Sequence, residues 1–209
     1  MAFKLTDPLE PPPKKDKAAA QIEKWVDRLC FGGTKERTTA LRNLIRVRAE
    51  GEFEKLLTNK DHFLAELASY ALTECWLNER GRKAAESLDK GAQLMTSGKF
   101  EASEKIFLAL MSKYPDWAEA RFKQATLLFL RDQYAVCSLV CEEVVRLKPI
   151  HFSAWNALSI CSSQLGKWAK AVVAARRAVS IYPSAGLKGV LQAAETKASE
   201  HGIGPDSIT

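Results

Sequence analysis

The sequence predicts an all-α chain built mainly from stacked helical hairpins, and three observations predict it. Pro115, Pro149 and Pro183 are evenly spaced at a period of about 34 residues, each closing a similar run. Elsewhere apolar residues recur at spacings of three and four, as on one face of a helix. No segment alternates apolar and polar residues as a half-buried strand would. The length of 209 residues suits one domain, or one domain with an extension, and excludes large two-domain enzymes. A hydrophobic share of 46% and a charged share of 27% lie near globular averages, so wholesale disorder is excluded as well.

Taken in order, residues 1–16 hold Pro8, Pro11, Pro12 and Pro13 beside Lys14, Lys15 and Asp16. That composition favours extended backbone and buries nothing, which predicts a flexible Pro/Lys-rich leader. The leader lacks the apolar stretch of a secretory signal peptide, so an intracellular, soluble protein is expected. An organelle such as a plastid stays open if a transit peptide has been removed. Residues 17–83 form a helical region expected to pack on the periodic segment. In it Ile22, Trp25, Val26 and Leu29 share a helical face, and Gly32-Gly33 ends that helix. Thr34 is the expected N-cap of a second helix carrying Leu41, Leu44 and Ile45, with a break at Gly51 before Phe53, Leu56 and Leu57. Asn59 to Asp61 read as a turn, and Leu64, Leu67, Ala68, Ala71, Leu72 and Cys75 as the stripe of a long helix ending near Gly81.

From residue 84 the period governs. GKFEASEKIFLALMSKYP, RDQYAVCSLVCEEVVRLKP and LGKWAKAVVAARRAVSIYP share one grammar. An aromatic (Phe100, Tyr134, Trp168) is followed three residues later by a small residue (Ser103, Cys137, Ala171). Counting back from the prolines gives units at 84–117, 118–151 and 152–185. The third is the most regular, with Trp155, Leu158, Ser159, Gly166, Trp168, Ala171, Ala178 and Pro183 in place. The second is the loosest, because Arg121 and Gln124 stand where large apolar residues are expected. A small residue such as Gly91, Ala125 or Ser159 lets two helices approach, and a large one such as Phe107 fills the adjoining space. Residues 186–200, with Leu187, Val190, Leu191 and Ala194 on one face, suit a capping helix, and 201–209 a flexible tail.

These blocks resemble tetratricopeptide repeats, helix pairs of about 34 residues that stack side by side. The resemblance implies a right-handed α-solenoid in which the first helices of successive repeats line a groove that binds peptides. In chaperone-binding members a Lys, Asn, Asn, Lys, Arg set clamps an acidic tail. The matching positions here are Leu88, Ala92, Lys123, Ser153 and Ala157, so the clamp is missing. The same register places Leu88, Ala92, Met95, Phe122, Lys123, Thr126, Phe129, Asn156 and Ile160 on the groove side. That lining is mainly apolar and would take an amphipathic helix or an apolar peptide, with Lys123 and Asn156 setting polarity. The protein's own N-terminal helices are the competing occupant.

Residue chemistry gives catalysis little footing. His62, His151 and His201 lie far apart in sequence and read as surface or capping residues. Asp116, Glu119, Glu142 and Glu143 read as solvated charges. Five cysteines without a CxxC pair read as reduced, buried thiols, Cys137 and Cys141 among them. Neither metal nor cofactor is expected. Trp155 and Trp168 read as core, Trp117 as an exposed junction residue. Between Glu143 and Glu195 no acidic residue occurs, while Arg146, Lys148, Lys167, Lys170, Arg176, Arg177 and Lys188 form a basic face. The expectation is therefore a non-catalytic module that binds a protein or peptide partner, as adaptor, scaffold or assembly factor. The alternative uses the basic face of residues 144–188 to bind an acidic protein, RNA or an anionic surface.

Overall fold

A computed structural model describes residues 18–204, so the leader at 1–16 and the last five residues of the expected tail lie outside the described residues. Eleven helices make up the described chain: α1 (Ala18–Phe31), α2 (Thr34–Arg46), α3 (Glu50–Leu56), α4 (His62–Leu77), α5 (Arg82–Thr96), α6 (Phe100–Lys113), α7 (Ala118–Leu130), α8 (Tyr134–Leu147), α9 (Phe152–Gln164), α10 (Trp168–Ile181) and α11 (Ala185–Glu200). Among the described residues there is no strand, and no helix is long and apolar enough to cross a membrane. The chain divides into two compact units at Cys75–Trp76, inside α4. The sequence leads one to expect a single continuous helical unit, with the helices before residue 84 capping the first repeat, and the division falls instead within a helix.

The first unit buries Trp25, Leu29, Leu41, Leu44, Phe53, Leu57, Ala68 and Leu72. Gly32 is required where α1 meets α2, since a Cβ there would lie 2.5 Å from the Arg28 carbonyl oxygen. Gly33 caps α2, its N–H donating to the Glu36 carboxylate at 2.9 Å, so Thr34 is the first helical residue rather than the cap. The break expected at Gly51 falls instead at Val47–Ala49. There Arg48 takes φ +54°, and the Val47 and Ala49 N–H groups close on the Asn43 and Leu44 carbonyls, while Gly51 lies inside α3. Turn closure by backbone bonds outweighs the local preference of glycine.

The second unit is a helical-repeat solenoid of three hairpins, α5–α6, α7–α8 and α9–α10, followed by α11. The second helices begin at Phe100, Tyr134 and Trp168, at the same interval as the prolines. The turns inside the hairpins share one geometry, with positive φ at Gly98, Asp132 and Gly166. The hairpins close at the small residues. Ser103 Oγ donates to the Gly91 carbonyl at 2.8 Å, Cys137 Sγ to Ala125 at 3.2 Å, and Ser159 Oγ to Ala171 at 2.8 Å. In the third hairpin donor and acceptor have exchanged helices, yet the contact survives. Arg121 explains how the loosest repeat is tolerated: its guanidinium donates to the Pro115 carbonyl at 2.9 Å, as the Trp155 indole does to Pro149 at 2.9 Å. Ser184 caps α11 by accepting from the Leu187 N–H at 3.3 Å, and α11 lays Leu187, Ala194 and Ala198 against the preceding hairpin.

Candidate functional site

In the second unit α5 touches α7, and α9 touches α11; the side that α5, α7 and α9 share, where the tetratricopeptide resemblance implies a groove, is the inner side. The residues expected there divide into two sets. Leu88 is fully buried and Met95 is 9% exposed, both in a cluster with Phe107, Leu110 and Leu127. They serve the core because they pack on residues of α6 and α7. Ala92, Phe122, Lys123, Thr126, Phe129, Asn156 and Ile160 are half-buried and remain partly open. Phe122 leans on His151 with ring centroids 4.6 Å apart, and Phe129 meets Tyr134 edge-on at 5.5 Å. Beside Ala92 and Lys123 opens a cleft of about 340 Å³, floored by Leu77, Ala85 and Leu88 and rimmed by Asn78, Glu86, Asp89 and Lys123.

One end of this inner side is occupied by the chain itself. Trp76 is 1% exposed. Its ring stacks on His151 at 4.7 Å and packs on Phe152 at 5.8 Å, and Phe152 meets Tyr182 at 5.2 Å. The Trp76 carbonyl accepts the indole N–H of Trp117 at 2.9 Å. Trp117, expected to be an exposed junction residue, is therefore fully buried, because this bond and the apolar cluster around Leu88 enclose it. Two ion pairs extend the same segment: Arg80 with Asp116 at 2.8 Å and Glu79 with Lys148 at 3.3 Å.

Sequence reasoning misses the polar centre beneath Trp76. His151 Nδ1 accepts from the Ala154 N–H at 3.2 Å, capping α9, and Nε2 lies 3.1 Å from the Glu119 carboxylate. With Nδ1 used as acceptor, the ring proton sits on Nε2 and is donated to Glu119, so one neutral tautomer satisfies both contacts. Glu119, expected to be solvated, is 2% exposed. Burial alone would raise its carboxyl, but the His151 bond and the Lys123 ammonium 3.6 Å away hold it below the usual glutamate range. One signal is available in the sequence. His151 stands one repeat length after Trp117, in the same slot before a first helix, so the two side chains belong in one environment.

The basic face is smaller than its sequence suggests. Lys148 is no surface residue, since its side chain is 16% exposed, paired with Glu79 and held 5.3 Å from the Trp76 ring. Lys170 pairs with Glu142, and Arg176 with Glu195 at 3.0 Å. Arg146, Lys167, Arg177 and Lys188 are exposed and make no ion pair among the described residues. The exposed large aromatics among the described residues, Phe31, Phe63 and Tyr70, all belong to the first unit.

Cys137 and Cys161 lie 3.2 Å apart, sulfur to sulfur, in the core between α8 and α9. Hydrogen bonding with Cys141 and burial push the Cys137 thiol up to about 12, and bonding to Cys137 raises that of Cys161. Such thiols are poor nucleophiles. Among the described residues no group of three or more His, Cys, Asp or Glu is placed to hold a metal ion.

No protein-family model matches the chain, and no curated protein does. Solved structures do. A mutant of MamA superposes with a TM-score of 0.51 over 78% of this chain and 94% of its own, at 14% identity. A MamA structure from AMB-1 superposes with a TM-score of 0.52 over 78% and 87%, also at 14% identity. MamA is a tetratricopeptide-like helical-repeat protein, and the likeness is one of fold.

Proposed function

We propose that the second unit is a tetratricopeptide-type binding module of three repeats, residues 84–185, that lacks the carboxylate clamp and works without catalysis. As adaptor, scaffold or assembly factor it takes a helical or apolar segment of a protein partner along the inner side of α5, α7 and α9. The observation that carries this reading is the half-buried row Ala92, Phe122, Thr126, Phe129 and Ile160, apolar but for a threonine hydroxyl already bonded to the Phe122 carbonyl. Lys123 and Asp89 at the cleft beside it supply opposite charges that would orient a guest. A stack of packed hairpins preorganises the surface, so the partner alone loses conformational freedom. The free cysteines fit an intracellular place of work.

The test is affinity capture from native extract with Ala92→Glu and Ile160→Lys, which place charges on the row without entering the core. Capture should be lost in both while melting is unchanged. Undiminished capture by both would overturn the reading. Phe122 is the wrong residue to change, because its contact with His151 ties it to folding.

A further inference from the structure

We propose that the outer groove between α8 and α10 docks an acidic amphipathic helix of a partner protein, on a surface separate from the inner side. The groove has a volume of about 420 Å³. Its floor is apolar: Val145 of α8, Trp155 and Leu158 of α9, and Val173 and Ala174 of α10. The Trp155 ring is fixed there by its bond to the Pro149 carbonyl at 2.9 Å, so it offers a rigid aromatic surface, the kind that anchors interfaces. Val173 of this lining is 39% exposed, and Leu139, elsewhere on α8, is 60% exposed, so α8 and α10 both carry apolar surface in contact with solvent.

Charge chooses the occupant. The pair between Lys170 and Glu142 spans the groove and neutralises that stretch. Arg146 lines it one turn further along α8, and Arg177 follows Val173 by one turn along α10. Both are exposed and make no ion pair among the described residues. The carboxylates one turn before Arg146, Glu142 and Glu143, are already paired with Lys170 and Arg121, so carboxylates on a guest are the complement these two guanidinium groups invite, and the planar fork suits them. Two adjacent helices present a furrow that receives the side-chain ridge of a third. A guest helix with leucines on one face and glutamates along its flank satisfies floor and arginines together. RNA fits less well, because three of the seven basic residues are already paired, which leaves few free cations to follow a phosphate backbone.

The test is fluorescence anisotropy of the full chain with a labelled helical peptide of about four turns, carrying leucines at i, i+3, i+4 and i+7 and glutamates on the flank. A twin peptide has lysines for the glutamates. The glutamate peptide should bind saturably and the lysine peptide not. Arg146→Glu and Arg177→Glu should each weaken binding about tenfold, Val173→Asp should weaken it comparably, and Ile160→Lys on the inner side should leave it unchanged. Circular dichroism melts of each variant separate lost binding from lost folding. The proposal is overturned if the glutamate peptide does not bind, if the twin binds equally, or if the arginine variants bind as the wild type does. Tighter, arginine-dependent binding of a uridine oligonucleotide or of phosphatidylserine vesicles overturns it too. So does a concentration-dependent dimer that the arginine changes abolish. Because Ile160→Lys reports on the inner side alone, failure here is distinguishable from failure of the proposed function.

Discussion

The closest packing in the second unit occurs at single residues. At Gly91 a Cβ would lie 2.5 Å from the Phe107 ring, and the Gly91 carbonyl also receives the Ser103 hydroxyl. Gly91→Ala should therefore cost about 1–3 kcal/mol through overpacking, read by chemical denaturation. Gly51 is the contrast, a helical glycine whose added Cβ would meet nothing within 4 Å. There alanine should add about 0.5–1 kcal/mol by restricting the unfolded chain. His151 belongs to the first kind. Its replacement by alanine removes the cap of α9 and leaves the Glu119 carboxylate buried without its principal donor, for an expected loss of about 3 kcal/mol. The pH dependence follows from the depressed Glu119 carboxyl. Its contribution is present above the ordinary glutamate value and lost as the pH falls through the lower value of the folded state. Melting of the wild type should thus decline on acidification below about pH 4.5, and Glu119→Gln should flatten part of that decline.

Turns decide where the helices stop. Gly98 and Gly166 hold φ +73° and +69° with open space around them, so Gly98→Ala and Gly166→Ala should each cost about 1 kcal/mol from backbone strain alone. Equilibrium unfolding of the two variants measures it. These turns are legible in the sequence because glycine or aspartate announces them at the period of the repeat. The break in the first unit is not, for the converse reason: Arg48 occupies the left-handed region without any local mark, while Gly51 lies in a regular helix. Glu119, His151 and Trp117 escape sequence reading for a related cause. A polar or large side chain at the start of a first helix looks exposed when each is considered singly, and only the partners supplied by Trp76 and by each other show it to be enclosed. The tetratricopeptide register, by contrast, sets Phe122, Phe129 and Ile160 on one side, and all three are half-buried, while Leu88 and Met95 of the same register belong to the core, a split that the register does not announce.

Across the second unit each hairpin buries its face against the next, so stability is a sum over neighbours. Ala171, Val172 and Ala175 of the last hairpin are covered by Ala194 and Ala198 of α11, and the Trp168 ring stacks on His201 at 4.5 Å. Removing residues 185–204 should strip protection from the amides of α9 and α10 while leaving those of α5 and α6 largely protected, as hydrogen exchange would read. Sequence foresees this dependence but not the partition at Cys75–Trp76, which rests on contacts that no period reports. The closing bond of every hairpin, between its seventh residue before the turn and its fifth after it, lies wholly within that hairpin. Length is therefore a free variable for this architecture: a duplicated copy of residues 152–185 inserted in tandem brings its own clasp, and gene duplication could extend the stack one unit at a time without inventing a new joint.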